Sequence, residues 1–391
     1  MKIKDLTIPS VLVFFFLWPS NFILYIACLI YLLYLYKNTP KREKRFLKLV
    51  QPLVAWMILS FILNIFFIGE GLIKESFRIV CLVMILLLFP FKIKCRDDLL
   101  IISLLFVIGF VFITQIAFVY VIPSVIHFVD IYYPYEGDMV GLTTESLESR
   151  ASGSLTDISS RLSGIYRNPN QCGRFVLLCM STLLIINRKV IISVVVIAVV
   201  AISMMLTGSR TAFIIYALIA GLWFYRTETL HKKYKVGVLC ILIPFAIYKI
   251  STLIDFETLR VFQLSYESDD YGSMTTKYKW LWDYLKNENN FLYFFIGHGT
   301  TLSLASYGVP LLDSEIGMAV FSFGFVGFFL YLRLIIKIIR FNHKFNLDNI
   351  SLILMWGITS TILFSFRMSI LYFMILSLLY SREETIVKCK N

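Results

Sequence analysis

Four arginines stand in this chain where so apolar a sequence has least use for them. Arg161, Arg167 and Arg174 fall within RLSGIYRNPNQCGR at 161–174, and Arg210 falls in MLTGSRTAF at 205–213. A guanidinium stays charged and presents a planar fork of donors that pairs bidentately with phosphate oxygens. Any one of them can be read as a boundary arginine snorkelling to water. Four together imply a phosphate or pyrophosphate. Asn168-Pro169-Asn170 lies among them, immediately before an apolar run. Proline is tolerated in a first helical turn and Asn168 can cap it, so a helix start is expected there, with unpaired N–H groups to offer an anion.

A second group lies in GHGTTLSLASYGVPLLDSEIG at 297–317, which holds His298, Asp313 and Glu315. Histidine titrates near neutrality, and one flanked by glycines can approach a substrate closely. Asp313 and Glu315 can equally serve, with Ser314, to begin the following helix. One of the three is the best available general base. His231 and His343 fall in breaks expected on the opposite side of a membrane.

The elements that must position these residues are helices. The chain has 391 residues, of which 58% are hydrophobic and 16% charged, with a mean hydropathy of +0.78. Soluble domains carry roughly a quarter charged residues. Apolar runs long enough, or nearly so, to cross about 30 Å of hydrocarbon recur along the whole length. An all-α, polytopic integral membrane protein is expected, with residues 1–391 forming one membrane domain. The first run lacks a small-residue cleavage site and continues into a second, so it reads as a retained span.

Expected spans are 49–69, 72–91, 99–122, 170–187, 190–206, 211–225, 236–250, 316–339, 350–366 and 368–380, plus the apolar stretch 8–36. WPSN at 18–21 divides that stretch into a short hairpin, giving twelve spans; one tilted helix would give eleven. KNTPKREKRFLK at 37–48 carries six Lys/Arg and marks the inner side. Alternating the spans from there places 24 of the 37 Lys/Arg inside. The net charge of +12 is thereby explained by sorting across a membrane, and nucleic acid is not an expected partner. Two long breaks, 123–169 and 251–315, fall outside as large extracytoplasmic loops. Long loops in a chain of tight connections are usually functional or disordered. The second contains TTKYKWLWDYLK at 275–286, where Tyr278, Leu281, Trp282 and Leu285 share a helical face suited to an interface. The seven cysteines lack metal-site spacing, and neither a disulfide framework nor a metal is expected.

Taken in order, these residues resemble the O-antigen polymerase and O-antigen ligase superfamily of bacterial envelope glycosyltransferases. That pattern is an outer-loop Arg, a Gly, and Asn-Pro-Asn opening a helix, here Arg161, Gly164 and Asn168-Pro169-Asn170. A Ser-Arg at an outer membrane edge follows, here Ser209-Arg210, then a Trp-bearing loop helix, here with Trp280 or Trp282. Gly297-His298-Gly299, the polar Asp313, and a span containing Gly324 and Gly327 complete it. The match covers about 155–330. Ligases usually carry His-Asn where this chain has DSE at 313–315, which favours the polymerase. The arginine usual ahead of the loop Trp is here Lys277 or Lys279.

The resemblance implies a metal-independent, inverting glycosyltransferase with no cofactor, at the periplasmic face of the bacterial inner membrane. Its substrates would be oligosaccharide repeat units on undecaprenyl pyrophosphate, and a chain-length regulator and a flippase of the same pathway are implied partners, besides membrane lipids. Arg161, Arg210, His298 and Asp313 would be catalytic. Arg167, Arg174, Asn168, Asn170, Ser209, Lys277, Lys279 and Glu315 would bind substrate. A ligase that transfers the glycan to lipid A core, a flippase or transporter of lipid-linked sugars, and a scaffold of an envelope assembly complex are the alternatives.

Overall fold

The computed structural model describes residues 3–18, 22–38, 44–67, 72–88, 95–120, 122–132, 162–166, 169–187, 189–227, 281–286, 288, 291–299, 315–341 and 366–388. Among them there is no strand. The described elements are all helices, as expected, and the chain divides into two compact units that interleave along the sequence.

The first unit takes Met1–Pro19 and Asp97–Ser268. Its described helices are α1 (Ile3–Leu17), α5 (Asp97–Val119), α6 (Pro123–Tyr132), α7 (Pro169–Ile186), α8 (Val190–Thr207) and α9 (Arg210–Arg226). The second takes Ser20–Arg96 and Asp269–Asn391. It contains α2 (Phe22–Asn38), α3 (Lys44–Asn64, continued by a 3₁₀ turn Ile65–Phe67), α4 (Leu72–Leu88), a helical stretch 281–286, α10 (Phe291–Ile296), α11 (Glu315–Phe341) and α12 (Phe366–Lys388).

Local chemistry sets several of these boundaries. Asp97 and Asp98 occupy the first turn of α5, where negative charge complements the exposed N–H groups. Gly208 ends α8 in the left-handed conformation, its N–H donating to Met205 O. Ser209 follows at once and caps α9. The stretch 8–36 is two helices, ending at Leu17 and restarting at Phe22. Expected span 236–250 lies outside the described residues, as does 350–366 apart from Phe366, which begins α12, and the expected loop 123–169 opens with a helix, α6.

Three described helices, Asp97–Val119, Val190–Thr207 and Ile316–Ile338, are long and apolar enough to cross a membrane; shorter apolar helices accompany them. In α5 the buried side runs through Leu100, Leu104, Val107, Ile108 and Val111, while Ile102, Phe106 and Ile113 are exposed. A helix apolar on both sides needs an apolar environment on its outer face too. In the first unit α7 is the hub, packed on α5, α8 and α9 and buried almost continuously from Cys172 to Leu184. In the second, α3 packs on α4 and α11, α4 on α2 and α12, and α10 on α11.

Candidate functional site

In the first unit the turn at 162–166, within the arginine-bearing stretch, is drawn in among the helices. Residues Leu162 to Tyr166 are all buried. Leu162 N donates to Leu206 O at 2.8 Å, and the Gln115 amide donates to Leu162 O at 3.0 Å and to Ser203 O at 3.3 Å. Ser203 Oγ returns a 2.6 Å bond to Gln115 Oε1, closing a buried amide-hydroxyl pair between α5 and α8. Tyr166 donates to Phe16 O at 2.8 Å and stacks on Phe175 with ring centroids 5.0 Å apart. Gly164 makes the turn possible. Its φ is 58°, and a Cβ there would lie 2.6 Å from Thr114 Oγ1.

From this turn the chain enters α7 at Pro169, and the starts of α7 and α9 come together. Ser209 Oγ donates to Asn170 Oδ1 at 2.8 Å while accepting from Ala212 N at 3.3 Å. One hydroxyl therefore caps α9 and ties it to the first turn of α7. Gly173 lets the two helices close, since a Cβ there would lie 2.6 Å from Ala212 Cβ. Arg174, one turn into α7 and only 4% exposed, donates from Nε to Asn170 O at 3.3 Å. Arg210 is the first residue of α9. Two adjacent helix N-termini, one opening with Arg210 and the other carrying Arg174 in its second turn, make a locally positive site suited to an anion.

The second unit builds a different site around a broken helix. Gly324 sits inside α11 at φ 65°, ψ −175°, a conformation essentially restricted to glycine. The backbone carbonyls just before the break accept from elsewhere in the unit. Phe321 O takes His298 N at 2.9 Å, and Ser322 O takes Gly299 N at 2.7 Å and Ser60 Oγ at 3.2 Å. Phe323 O takes Trp56 Nε1 at 2.8 Å. Ser60 Oγ also reaches Ile296 O at 2.6 Å, and the Asn64 amide donates to Gly297 O at 3.0 Å. Gly297 and Gly324 meet backbone to backbone: a Cβ on Gly297 would fall inside the chain at Ser322–Gly324.

That framework holds His298. Its ring lies between Tyr293 and Phe321, nearly parallel to both, at centroid distances of 4.3 and 4.5 Å. Nε2 lies 3.1 Å from Tyr284 Oη and 3.3 Å from Glu288 Oε2. His298 is 7% exposed. Burial lowers its pKa below the ordinary histidine value, opposed by the charge and hydrogen bond of Glu288.

Of the residues singled out in the sequence, Asn170, Arg174, Ser209 and the backbone of Arg210 come together in the first unit, and His298 occupies the second. Glu315 is the first residue of α11. Arg161, Arg167, Asn168, Lys277, Lys279 and Asp313 lie outside the described residues. Trp282 is exposed, with Lys286 Nζ 5.5 Å from its ring centre, whereas the buried aromatic of 281–286 is Tyr284. Sequence reasoning missed Gln115, Tyr284 and Glu288, together with Trp56, Ser60 and Asn64. Three of these, Gln115, Ser60 and Asn64, are polar residues inside or ending apolar runs, and in such settings a polar side chain marks a partner. Compared with protein-family models and with curated proteins, the chain matches none.

Proposed function

We propose that this protein is an O-antigen-type polysaccharide polymerase of the bacterial inner membrane, acting at its periplasmic face. One observation carries the reading most: the Asn-Pro-Asn helix start and the Ser-Arg helix start, 39 positions apart at Asn170 and Ser209, are joined by a direct hydrogen bond. Two residues of the pattern that resembles a polyprenyl-pyrophosphate site, Asn170 and Ser209, are thus neighbours, which supports the reading. The apolar helices and the exposed apolar faces fit a membrane setting.

In the proposed reaction the anomeric carbon of the growing glycan loses its bond to the polyprenyl pyrophosphate and gains one to a hydroxyl of an incoming lipid-linked repeat unit. In-line displacement inverts the anomeric centre. Pyrophosphate is already a good leaving group, so its developing charge is what the protein must stabilise, and Arg161, Arg167, Arg174 and Arg210 with the two helix N-termini supply that. The acceptor hydroxyl gives its proton to a general base. His298 is the candidate with a carboxylate partner among the described residues, ahead of Asp313 and Glu315.

Deleting the gene in its native host and sizing the surface glycan and the lipid-linked pool on a gel tests the proposal. The polymerase reading expects a single repeat unit on the surface and no long chains in either pool. Full-length chains stranded on the lipid carrier would make the protein a ligase, and unchanged pools would leave a transporter or scaffold. In a complemented strain, Arg161→Ala or Arg210→Ala should shorten the chains sharply at normal protein level, since losing one well-placed charge stabiliser costs on the order of 10²–10³ in rate. Normal chain length in both variants would remove the arginines from the mechanism.

A further inference from the structure

The loop histidine is not a lone side chain. Tyr284 Oη and Glu288 Oε2 both approach the same ring nitrogen, Nε2, at 3.1 and 3.3 Å, while Tyr293 and Phe321 clamp the two faces of the ring. The side chains of His298 and Glu288 are 7% and 4% exposed. Glu288 N donates to Tyr284 O at 3.0 Å, which ties the residue that bears the carboxylate to the one that bears the phenol. His298 N is bonded to Phe321 O, which fixes the backbone beneath the ring. Position, tilt and one nitrogen of the imidazole are therefore all set by other residues.

We infer that Glu288 is a positioning residue that acts through His298, with Tyr284 assisting, so that the three form a proton-handling group whose reactive atom is His298 Nδ1. The inference rests on the polymerase reading for its substrate, and the chemistry is as follows. A neutral imidazole carries one N–H, and an ionised carboxylate only accepts hydrogen bonds. Nε2 facing Glu288 therefore carries the proton, and Nδ1 keeps the lone pair. When an acceptor hydroxyl attacks the anomeric carbon, its proton passes to Nδ1. The imidazolium so formed is stabilised by the carboxylate at Nε2, which stays ionised, as in other carboxylate-histidine pairs. The proton returns to water once the product leaves, so the step consumes nothing beyond the two substrates. The groups facing the ring are Glu288 and Tyr284 at its edge, Tyr293 from α10 and Phe321 from α11. From α3 the polar Ser60 and Asn64 bond to the carbonyls flanking the loop. Glu288 brings a carboxylate to the edge of the ring.

The test uses the full-length protein in liposomes with lipid-linked repeat units, with turnover followed against pH. Active enzyme requires neutral His298, so the rate falls on the acid side. Glu288→Gln removes the charge that holds the imidazolium. Its kcat should fall by about 100-fold or more, KM should stay unchanged, and the acid limb should move to lower pH. Tyr284→Phe keeps the ring packing and should give a smaller loss in kcat. Nitrogen NMR of labelled histidine, with the His298 signal identified by its loss in His298→Gln, reads the tautomer without any substrate. The expected spectrum has the proton on Nε2 in the wild type and a lower titration midpoint in Glu288→Gln. An unchanged acid limb and an unchanged midpoint in Glu288→Gln overturn the inference; should that variant not fold, Glu288→Asp and Tyr284→Phe are read the same way. A wild type that binds but never joins repeat units, while its histidine spectrum still responds to Glu288, rejects the polymerase reading and leaves the pairing standing.

Discussion

At the scale of the residue, the first unit depends on a single amide. Gln115 sits near the C-terminal end of the apolar helix α5 and satisfies backbone carbonyls from two other segments, one of them the turn that precedes the Asn-Pro-Asn start. Gln115→Leu keeps the volume but leaves Leu162 O and Ser203 Oγ without these partners in a dry interior. A buried polar group left unsatisfied costs about 1–3 kcal/mol. The variant should therefore melt at lower temperature in detergent and yield shorter glycan chains, because the turn between Arg161 and Arg167 loses its anchor. An unaltered melting temperature would show that the amide carries no load. Arg174 and Asn170 stood out in the sequence by residue type and position, and Ser209 through the resemblance. The sequence also displayed Gln115, in the run VFITQIAFV, but a polar residue within a span reads as a blemish until its partners are seen. Glu288 was harder still, since nothing in KNENN at 286–290 distinguishes a loop carboxylate that pairs with histidine from one that faces water.

Helices were the most legible level, because each is a long apolar run bounded by charge. Most expected spans differ from the helices by a few residues at either end. The exception is α11, where the apolar pattern continues without interruption through a break that only backbone geometry reveals. GFVG reads equally well as an ordinary small-residue stretch. At φ 65° and ψ −175° a side chain is strained whatever the space, and a Cβ on Gly324 would fall against the Phe295 backbone. Gly324→Ala should abolish accumulation of folded protein. Gly109→Ala, in α5 with nothing within 4 Å of the added carbon, should accumulate normally. Quantifying both by fluorescence-detected gel filtration checks the contrast, and equal recovery of the two would refute the role given to the break.

For the whole molecule, composition announced an apolar, helical chain; the described elements are all helices, and the exposed Ile, Phe and Leu side chains of α2, α3, α5 and α8 fit an apolar surrounding. Membranes containing the protein should keep it through an alkaline carbonate wash and release it only to detergent. Recovery in the wash would overturn the spanning topology. What the sequence does not display is the interleaving of the two units, in which residues 1–19 group with 97–268 and residues 20–96 with 269–391. Periodicity is a property of one helix, whereas the grouping is decided by which faces fit, over separations that local pattern does not reach.

Those separations also put the second unit on a clock. Trp56, Ser60 and Asn64 bond to atoms of residues 296–323, between 233 and 267 positions further along the chain. A ribosome adding about 5–20 residues per second needs roughly ten to fifty seconds to cover that distance. Throughout that interval α3 exists with its indole, hydroxyl and amide deprived of these acceptors. The packing of α3 is thus completed only by a broken helix made more than 230 positions later, so its polar side chains wait for carbonyls that local folding does not supply.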